Sequence, residues 1–464
     1  MTSMLDRLRR LQALRPQRTG PEPTPPAGPL SPGPPSLTHE GGRHALPAGE
    51  VVENAAGQCF VTTLRYPLHT LRGPRPLGEV LAQHPARFAD LHPNFGLRAD
   101  TDYTQAMFLD TETTGLGGGA GVYCFMVGVG TFERFEAGGS QVPSLPSPVS
   151  HFVIRQYFMR HPGEEGALLL ALAEQMEAYA MSVTFNGRTF DLPLLRARFQ
   201  QNQHIYPDLR GGGRLLAADR PHLDLLHPAR RLWRRRLQSC RLINLEAMIL
   251  GLSRSEEDVP GSLIPQLYHD FVRTGNGAEM RRVFYHNAED ILSMVALAER
   301  LSCAFAGDAD APLEREDWLA LAASLEGQGN WADAERAYRR ALATLREPTA
   351  KADAFARLGR LLKQQARWGE AATLWEEWLG SVPGCDPAPY VELAKYCEWQ
   401  LRDLEQAAMW AGWALHNLRQ VPAWQHPPGA LAALEHRLAR LARKRAGFDT
   451  AGTKPGLAHD NDTT

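Results

Sequence analysis

Asp110 and Glu112, one threonine apart in the stretch MFLDTET, stand at i and i+2 near the end of a strand-like run, so alternation points both carboxylates to one face. Two like charges on one face repel, and a divalent cation held through oxygen is the usual remedy. Further along, TFNGRTFDLPLL places Asn186 just after a short strand and Asp191 at the start of a helix, where an acid also suits the helix dipole. In YHNAEDILSMVALAER, His286 and Asp290 fall at i and i+4 of a helix and share a face. Each piece alone also has a plain structural reading: acids in a turn, an acid at a helix start, a solvated surface pair.

Glycines follow the first acids, in TTGLGGGAGVYCFMVGVGTF, and raise the possibility of a phosphate cradle. A dinucleotide fingerprint needs its glycines to open a helix. Here the β-branched and aromatic run VYCFMVGVGTF follows instead, and no Lys-Ser or Lys-Thr pair is present for a phosphate loop. The glycines are therefore read as a connection between two antiparallel strands.

The elements that must position these residues can be read in order. Strands are expected at Met107 to Asp110, Val122 to Phe132 and His151 to Phe158, joined antiparallel by short connections. Leu169, Leu172, Met176 and Tyr179 then make the stripe of an amphipathic helix, ahead of a short strand from Val183 to Phe185. A helix near Leu192 to Gln200, a strand at His222 to Leu225 and helices to about Arg300 complete the block, with Ile291, Met294, Val295 and Ala298 as the stripe of the last helix toward the sheet. Three antiparallel strands followed by alternating helix and strand predict an α/β mixed sheet with helices on its faces.

An Asp-x-Glu on a strand, an Asn-x-x-x-Phe-Asp segment and a His-x-x-x-Asp helix, in that order, resemble the three exonuclease motifs of the ribonuclease H-like DEDD superfamily. Within it the chain is most similar to the bacterial YprB-type proteins, also in HLDLLHPARRLWRRRL, LINLEAMILGLSR and VPGSLIPQLYHDFVRTG. That resemblance implies a ribonuclease H-like domain and a nuclease, a 3′ to 5′ exonuclease on DNA or RNA. Asp110, Glu112, Asp191 and Asp290 would be the metal carboxylates, holding two Mg²⁺ or Mn²⁺ ions roughly 4 Å apart. His286 would act as the general base or orient the attacking water. The superfamily usually places a histidine base five residues before the last Asp, a position held here by Tyr285; helical geometry turns that residue away and favours His286. The alternative is an adaptor that grips nucleic acid without efficient cutting.

The substrate surface is expected in ARRLWRRRL, where Arg230, Arg231, Arg234 and Arg235 could neutralise phosphates and Trp233 could stack a base, forming a track for single-stranded DNA or RNA. A solvated helix face with Trp233 turned inward is equally compatible with the pattern. Asn186 and Arg188 sit nearer the acids and could touch substrate. His222, Asp224 and His227 offer three possible ligands for a transition metal, too few for a closed zinc site, and structural hydrogen bonding is the preferred reading.

Beyond Ala311 the pattern is helical throughout. GNWADAERAYRRALATL and ARWGEAATLWEEWLGSVP align with a shift of 37 residues, Ala334 on Ala371, and a weaker copy places Ala407 another 36 residues on. These segments resemble tetratricopeptide repeats, which implies a surface for a protein partner. The organisation expected is an N-terminal helix and Pro-rich linker at 1–40, an accessory β-hairpin region at 41–105, the ribonuclease H-like domain at 106–305, helical repeats at 311–445 and a disordered tail at 446–464.

With 50 basic against 52 acidic residues in 464, the whole molecule has no strong field, so any nucleic-acid site must be a local patch. The six cysteines form no Cys-x-x-Cys pair, which argues against a zinc ribbon or disulfide scaffold. No apolar run approaches the roughly 18 residues a membrane span needs, and the N-terminus lacks a signal-peptide core, so a cytoplasmic location is expected.

Overall fold

β-branched and aromatic runs with period-two burial make the centre of the molecule a mixed sheet. The computed structural model describes residues 45–115, 121–134, 149–307, 311, 313–384, 386–422, 424 and 426–452. The linker expected at 1–40, part of the glycine run and most of the expected tail lie outside them. Strands β1 (Glu50–Asn54), β2 (Gly57–Pro67), β5 (Ala106–Thr113), β6 (Cys124–Glu133), β7 (His151–Phe158), β8 (Met181–Thr184) and β9 (His222–Asp224) form one seven-stranded sheet in the order β1-β2-β7-β6-β5-β8-β9. Two short strands, β3 (Leu71–Arg72) and β4 (Arg75–Pro76), pair separately. Strands β5, β6 and β7 run antiparallel, while β8 is parallel to β5 and β9 to β8.

The first hairpin is not an accessory. β2 pairs with β7 from Phe60 opposite Phe158 to Pro67 opposite His151, so the hairpin forms one margin of the main sheet. The reason lies in VTTLRY, whose apolar positions are buried and make it an interior strand once β7 is present.

Helices cover both faces: α1 (Glu165–Met176), α2 (Asp191–Asn202), α3 (Leu226–Trp233), α4 (Leu242–Leu245), α5 (Ile264–Thr274) and α6 (Met280–Ala306). The strand period divides the core. Met107 and Leu109 of β5 belong to a layer with Leu192 and Leu195 of α2, whereas Phe108 belongs to the opposite layer with Ile291 and Val295 of α6. The stripe expected on α1 is too narrow a description. Every residue from Glu165 to Ala173 is buried, because the helix lies under β2 and β7 and is covered again from outside by the loop around Tyr206 and Leu209.

After Ala311 come α7 (Arg315–Gly327), α8 (Trp331–Thr344), α9 (Pro348–Gln364), α10 (Trp368–Ser381), α11 (Ala388–Tyr396), α12 (Leu404–Arg419) and α13 (Ala430–Gly452), each packed on its neighbour in sequence. Ala334, Ala371 and Ala407, aligned by the sequence shift, are all fully buried at helix crossings. Helix α13 runs past residue 446, where the tail was expected to begin. Among the described residues no helix is long and apolar enough to cross a membrane.

Candidate active site

Strand β5 delivers Asp110 and Glu112 on the face that α6 covers, and the register explains how α6 comes so close. Asp110 lies opposite Gly128, and Gly128 opposite Gln156. A Cβ at Gly128 would sit 2.0 Å from Asn287 Oδ1, so only glycine leaves room for the Asn287 side chain to enter the sheet surface. Asn287, fully buried, donates from Nδ2 to Asp110 Oδ2 at 2.9 Å, while its Oδ1 accepts from Gln156 Nε2 at 2.9 Å. Gln156 in turn accepts from Thr62 Oγ1 at 2.9 Å and donates to the Phe284 carbonyl at 2.7 Å. One carboxylate oxygen of Asp110 is thus fixed by a fully satisfied polar chain that reaches back to β2.

Asp191 opens α2 on the other layer and meets β5 from there. Its Oδ1 accepts from Thr111 Oγ1 at 2.5 Å, which is what alternation requires of the residue between Asp110 and Glu112. Burial pushes the Asp191 carboxyl up to about 6, against the Thr111 hydrogen bond that favours its charge. Burial first, then Asp290, Glu112 and Asp191, hold the Asp110 carboxyl well above the usual range. Glu112 is pushed up to about 8 by burial and by Asp290 and Asp191, opposed by His286 and Arg254. Acids from three distant segments therefore feel one another, and the cost falls on Asp110 and Glu112.

Helix α6 supplies the third side. His286 Nε2 stands 3.8 Å from Asp290 Oδ2, and His286 Nδ1 stands 2.7 Å from Asp258 Oδ1, in the loop before α5. Burial disfavours the imidazolium, but the Asp258 hydrogen bond, Asp290 and Glu112 outweigh it and bring the ring to about 9. Arg254 pairs with Asp290 and bonds Glu246 through Nε and Nη2, each at 2.7 Å. Tyr285, the other base considered, is buried beside Ser255, Glu289 and Arg72, on a different side of the helix.

A cleft of about 740 Å³ lies beside the acids, lined by Asp110, Asp290, Asn186, Arg230, Arg234 and Arg241 among others. Asn186 holds a left-handed backbone at φ 66°, braced where its N–H donates to Asp224 Oδ1 at 2.7 Å. Asp224 also accepts from the Arg188 N–H at 3.1 Å, and His222 shares a 2.8 Å hydrogen bond with Thr184 Oγ1, so both are occupied architecturally. The Arg188 guanidinium reaches the Asn94 carbonyl and lies over the Phe95 ring, away from the lining of this cleft.

The arginine segment divides by helical face. Arg230 and Arg234 point into the cleft, whereas Arg231 is exposed outside its lining and Arg235 pairs with Asp353 of α9 at 3.4 Å. Trp233 corrects the sequence reading: the ring is fully buried, packed with Leu232 and Leu237 in the core, so it offers no face to a base. The apolar positions 229, 232, 233 and 237 form the inward stripe of the helix and leave the arginines outside.

Oxygen donors of this kind fit Mg²⁺ or Mn²⁺ in their chemistry. In the geometry described, however, no group of three or more His, Cys, Asp or Glu side chains among the described residues is disposed to hold one ion. Two of the donors already have partners, Asp290 in Arg254 and Asp191 in Thr111. Asn287, Gly128, Glu246, Arg254, Asp258 and Arg241 were not singled out from sequence. Of these, Glu246 and Arg254 lay in a segment whose likeness to other proteins was visible, the LINLEAMILGLSR block, and Asn287 lay inside the His-x-x-x-Asp motif.

A family model described as RNase_H_2, of the RNase_H superfamily, matches residues 107–302. That span begins in β5 and ends in α6, so it contains Asp110, Glu112, Asp191 and Asp290. Proteins of this superfamily are typically hydrolytic nucleases and generally use divalent metals. The chain is also 30% identical over 343 residues to the uncharacterized protein YprB of Bacillus subtilis (strain 168), covering 73% of this chain and 74% of YprB. With the sheet order, the acids on β5 and α6, and a likeness that extends well beyond the matched domain, residues 107–302 form a domain of the RNase H superfamily and the chain belongs to the family of YprB.

Proposed function

We propose that the chain is a divalent-metal-dependent nuclease that hydrolyses phosphodiester bonds of single-stranded DNA or RNA, working as a 3′ to 5′ exonuclease. One observation carries the reading: Asp110 and Asp290 share a cleft wall with Arg230, Arg234 and Arg241, so half-buried negative charge and exposed positive charge face the same space. A pure binder gains nothing from carboxylates aimed at phosphates. Asp110, Glu112, Asp191 and Asp290 would hold two Mg²⁺ or Mn²⁺ ions, whose chemistry is to activate the attacking water and to stabilise the leaving 3′ oxygen.

The chain's own groups do the rest. Arg230, Arg234 and Arg241 neutralise the backbone of the strand and draw it along the cleft. Asn186, set in its left-handed turn by Asp224, lines the same cleft as Asp110. His286 is locked at Nδ1 by Asp258 and leaves Nε2 to handle a proton. An imidazole brought to about 9 is charged at neutral pH and takes no proton. With Asp290 and Glu112 engaged by a divalent ion, His286 would lose part of that stabilisation and return toward the range of a base.

The helices beyond Ala311 are proposed as tetratricopeptide-like repeats that recruit a protein partner. Through Arg235–Asp353 and the Arg236 pairs with Glu314 and Asp317, they brace the helix that carries the cleft arginines.

Digestion of end-labelled single- and double-stranded DNA and RNA by the full chain, with Mg²⁺, Mn²⁺ or chelator, tests the activity, and blocking either strand end tests polarity. Release of mononucleotides from a free 3′ end, absent with chelator, is expected; inert substrates under every condition would reject the enzyme. The second reading, an adaptor that grips without cutting, is favoured by the Arg254 contact that occupies Asp290. It requires tight binding with no turnover in the same assay.

A further inference from the structure

Helix α13 carries charge out of proportion to the chain. Basic and acidic residues balance at 50 to 52 overall, yet between 430 and 446 the helix holds Arg437, Arg440, Arg443, Lys444 and Arg445 against one acid, Glu435. Glu435 is itself paired with Arg419 at 2.8 Å. Leu434, Leu438 and Leu441 make the inward stripe, packed in clusters with Cys397, Ala411 and Leu418 of the preceding elements. That packing leaves Arg443, Lys444 and Arg445 exposed.

One buried carboxylate fixes the helix and is outnumbered. Glu398 lies in the π turn Cys397–Leu401 that follows α11, and its side chain is 0% exposed. It accepts from both terminal nitrogens of Arg440 at 2.5 Å and from Lys444 Nζ at 2.7 Å, and it faces Arg437 Nη1 at 3.6 Å. Three cations meet one anion, so positive charge is left over. Arg437 Nη1 is buried and makes no hydrogen bond among the described residues. Burial first, then Arg440, hold the Arg437 guanidinium below its ordinary value, with Glu398 and Glu392 opposing.

An open aromatic ring stands next in the same turn. Trp399 is 55% exposed and is followed by the exposed Leu401 and Arg402. The cations from Arg437 to Arg445 cover about 12 Å of helix at 1.5 Å per residue, longer than a single anionic group. Cations in a line match the repeated phosphates of a strand, and an indole face matches its bases. None of these residues lines the cleft beside Asp110.

We propose that α13 and the π turn form a second nucleic-acid contact, in which Arg443, Lys444 and Arg445 take phosphates of a single strand and Trp399 stacks a base. Glu398 holds Arg437 and Arg440 and so sets the line of the helix. An acidic protein segment would satisfy the cations but has no use for the indole, and the same chain carries a domain of a superfamily of nucleases. The inference does not depend on cutting, since a chain that grips without turnover would use the same surface.

Anisotropy of labelled oligothymidylate on the full chain, with chelator present so that no cleavage enters, tests it. Arg230→Gln with Arg234→Gln is the parent, which weakens the cleft and leaves the second contact to be read. On that parent, the triple change Arg443→Gln, Lys444→Gln and Arg445→Gln should flatten the plot of log affinity against log salt by about 2, at 0.7 per phosphate contact. Arg437 and Arg440 stay in place to hold Glu398. Trp399→Ala should weaken binding roughly fivefold or more, the lower end for the loss of one stacked base. Every replaced side chain is exposed, so melting temperatures should stay close to that of the parent. An unchanged salt slope in the triple variant overturns the proposal. A Trp399 variant that binds at full strength, with polyglutamate displacing the strand, assigns the surface to an acidic protein and also overturns it. Either failure leaves the nuclease reading standing, because that reading is tested by cleavage.

Discussion

Two groups of acids at the centre are met in opposite ways. Asp290, Asp258 and Glu246 are met by the cations of Arg254 and His286. Asp110 and Asp191 are met by the neutral donors Asn287 and Thr111, and the Asp110, Glu112 and Asp191 carboxyls are all pushed upward by burial. A paired buried charge is complete within the fold, whereas an unpaired one is complete only with a partner from outside.

The largest effect should come from the acids met by neutral donors. Asp191→Asn should lower metal-dependent cleavage by more than the roughly 10- to 100-fold typical of losing a partner beyond the direct ligands, while Asp258→Asn should stay within that range. Equal losses in the two groups, measured as kcat/KM on a labelled single strand, would erase the distinction.

Next come the supports. Gly128→Ala pushes a methyl into Asn287 and should cost about 1–3 kcal/mol in urea unfolding, as overpacking does, and weaken Mn²⁺ binding through Asp110. Unchanged stability would mean that α6 can back away from the sheet without consequence.

A smaller effect separates the cleft arginines from the buried indole. Arg230→Gln or Arg234→Gln should each flatten the plot of log affinity against log salt for single-stranded DNA by about 0.7. Trp233→Phe, buried in the core, should lower the melting temperature and leave that slope alone. A flattened slope in the Trp233 variant would restore it to the substrate surface.

The smallest is a matter of pH. Glu112 rises from 4.5 to about 8 and Asp191 from 3.8 to about 6 on folding, so the native state binds more protons than the unfolded chain in those windows. Stability of the chelated protein should therefore fall as pH rises through them. The His286 contribution, from 6.5 to about 9, is likewise present at low pH and lost as pH rises through its native value. Melting temperatures with chelator should decline across this span, and Mn²⁺ should flatten the decline, since a cation replaces the protons on the carboxylates. A chelated protein that grows more stable toward alkaline pH contradicts these upward shifts.

Much of this was legible in the sequence where period and chemistry coincide. His151 to Phe158 was read residue for residue as β7, and the order of three antiparallel strands followed by alternating helix and strand holds. Alternation along MFLDTET placed Asp110 and Glu112 on one face, and the same rule explains why Thr111, not they, touches Asp191. Tertiary partners were not legible. The hairpin at 50–67 looked detachable because nothing local says that β7 lies beside it. Trp233 sat among arginines whose charge hid the apolar stripe at 229, 232 and 237. Arg254 and Asn287 act through residues 36 and 177 positions away, distances at which a single sequence gives no pairing signal.

The most direct test compares wild type and Asp110→Asn, a change that keeps the side-chain shape and an oxygen for Asn287 while removing the charge. With Mn²⁺ and an end-labelled single strand, the wild type should shorten the strand and the variant, folded and still binding it, should not. Cleavage by the variant at the wild-type rate, or none by the wild type with any divalent ion, would contradict a metal-dependent nuclease centred on Asp110.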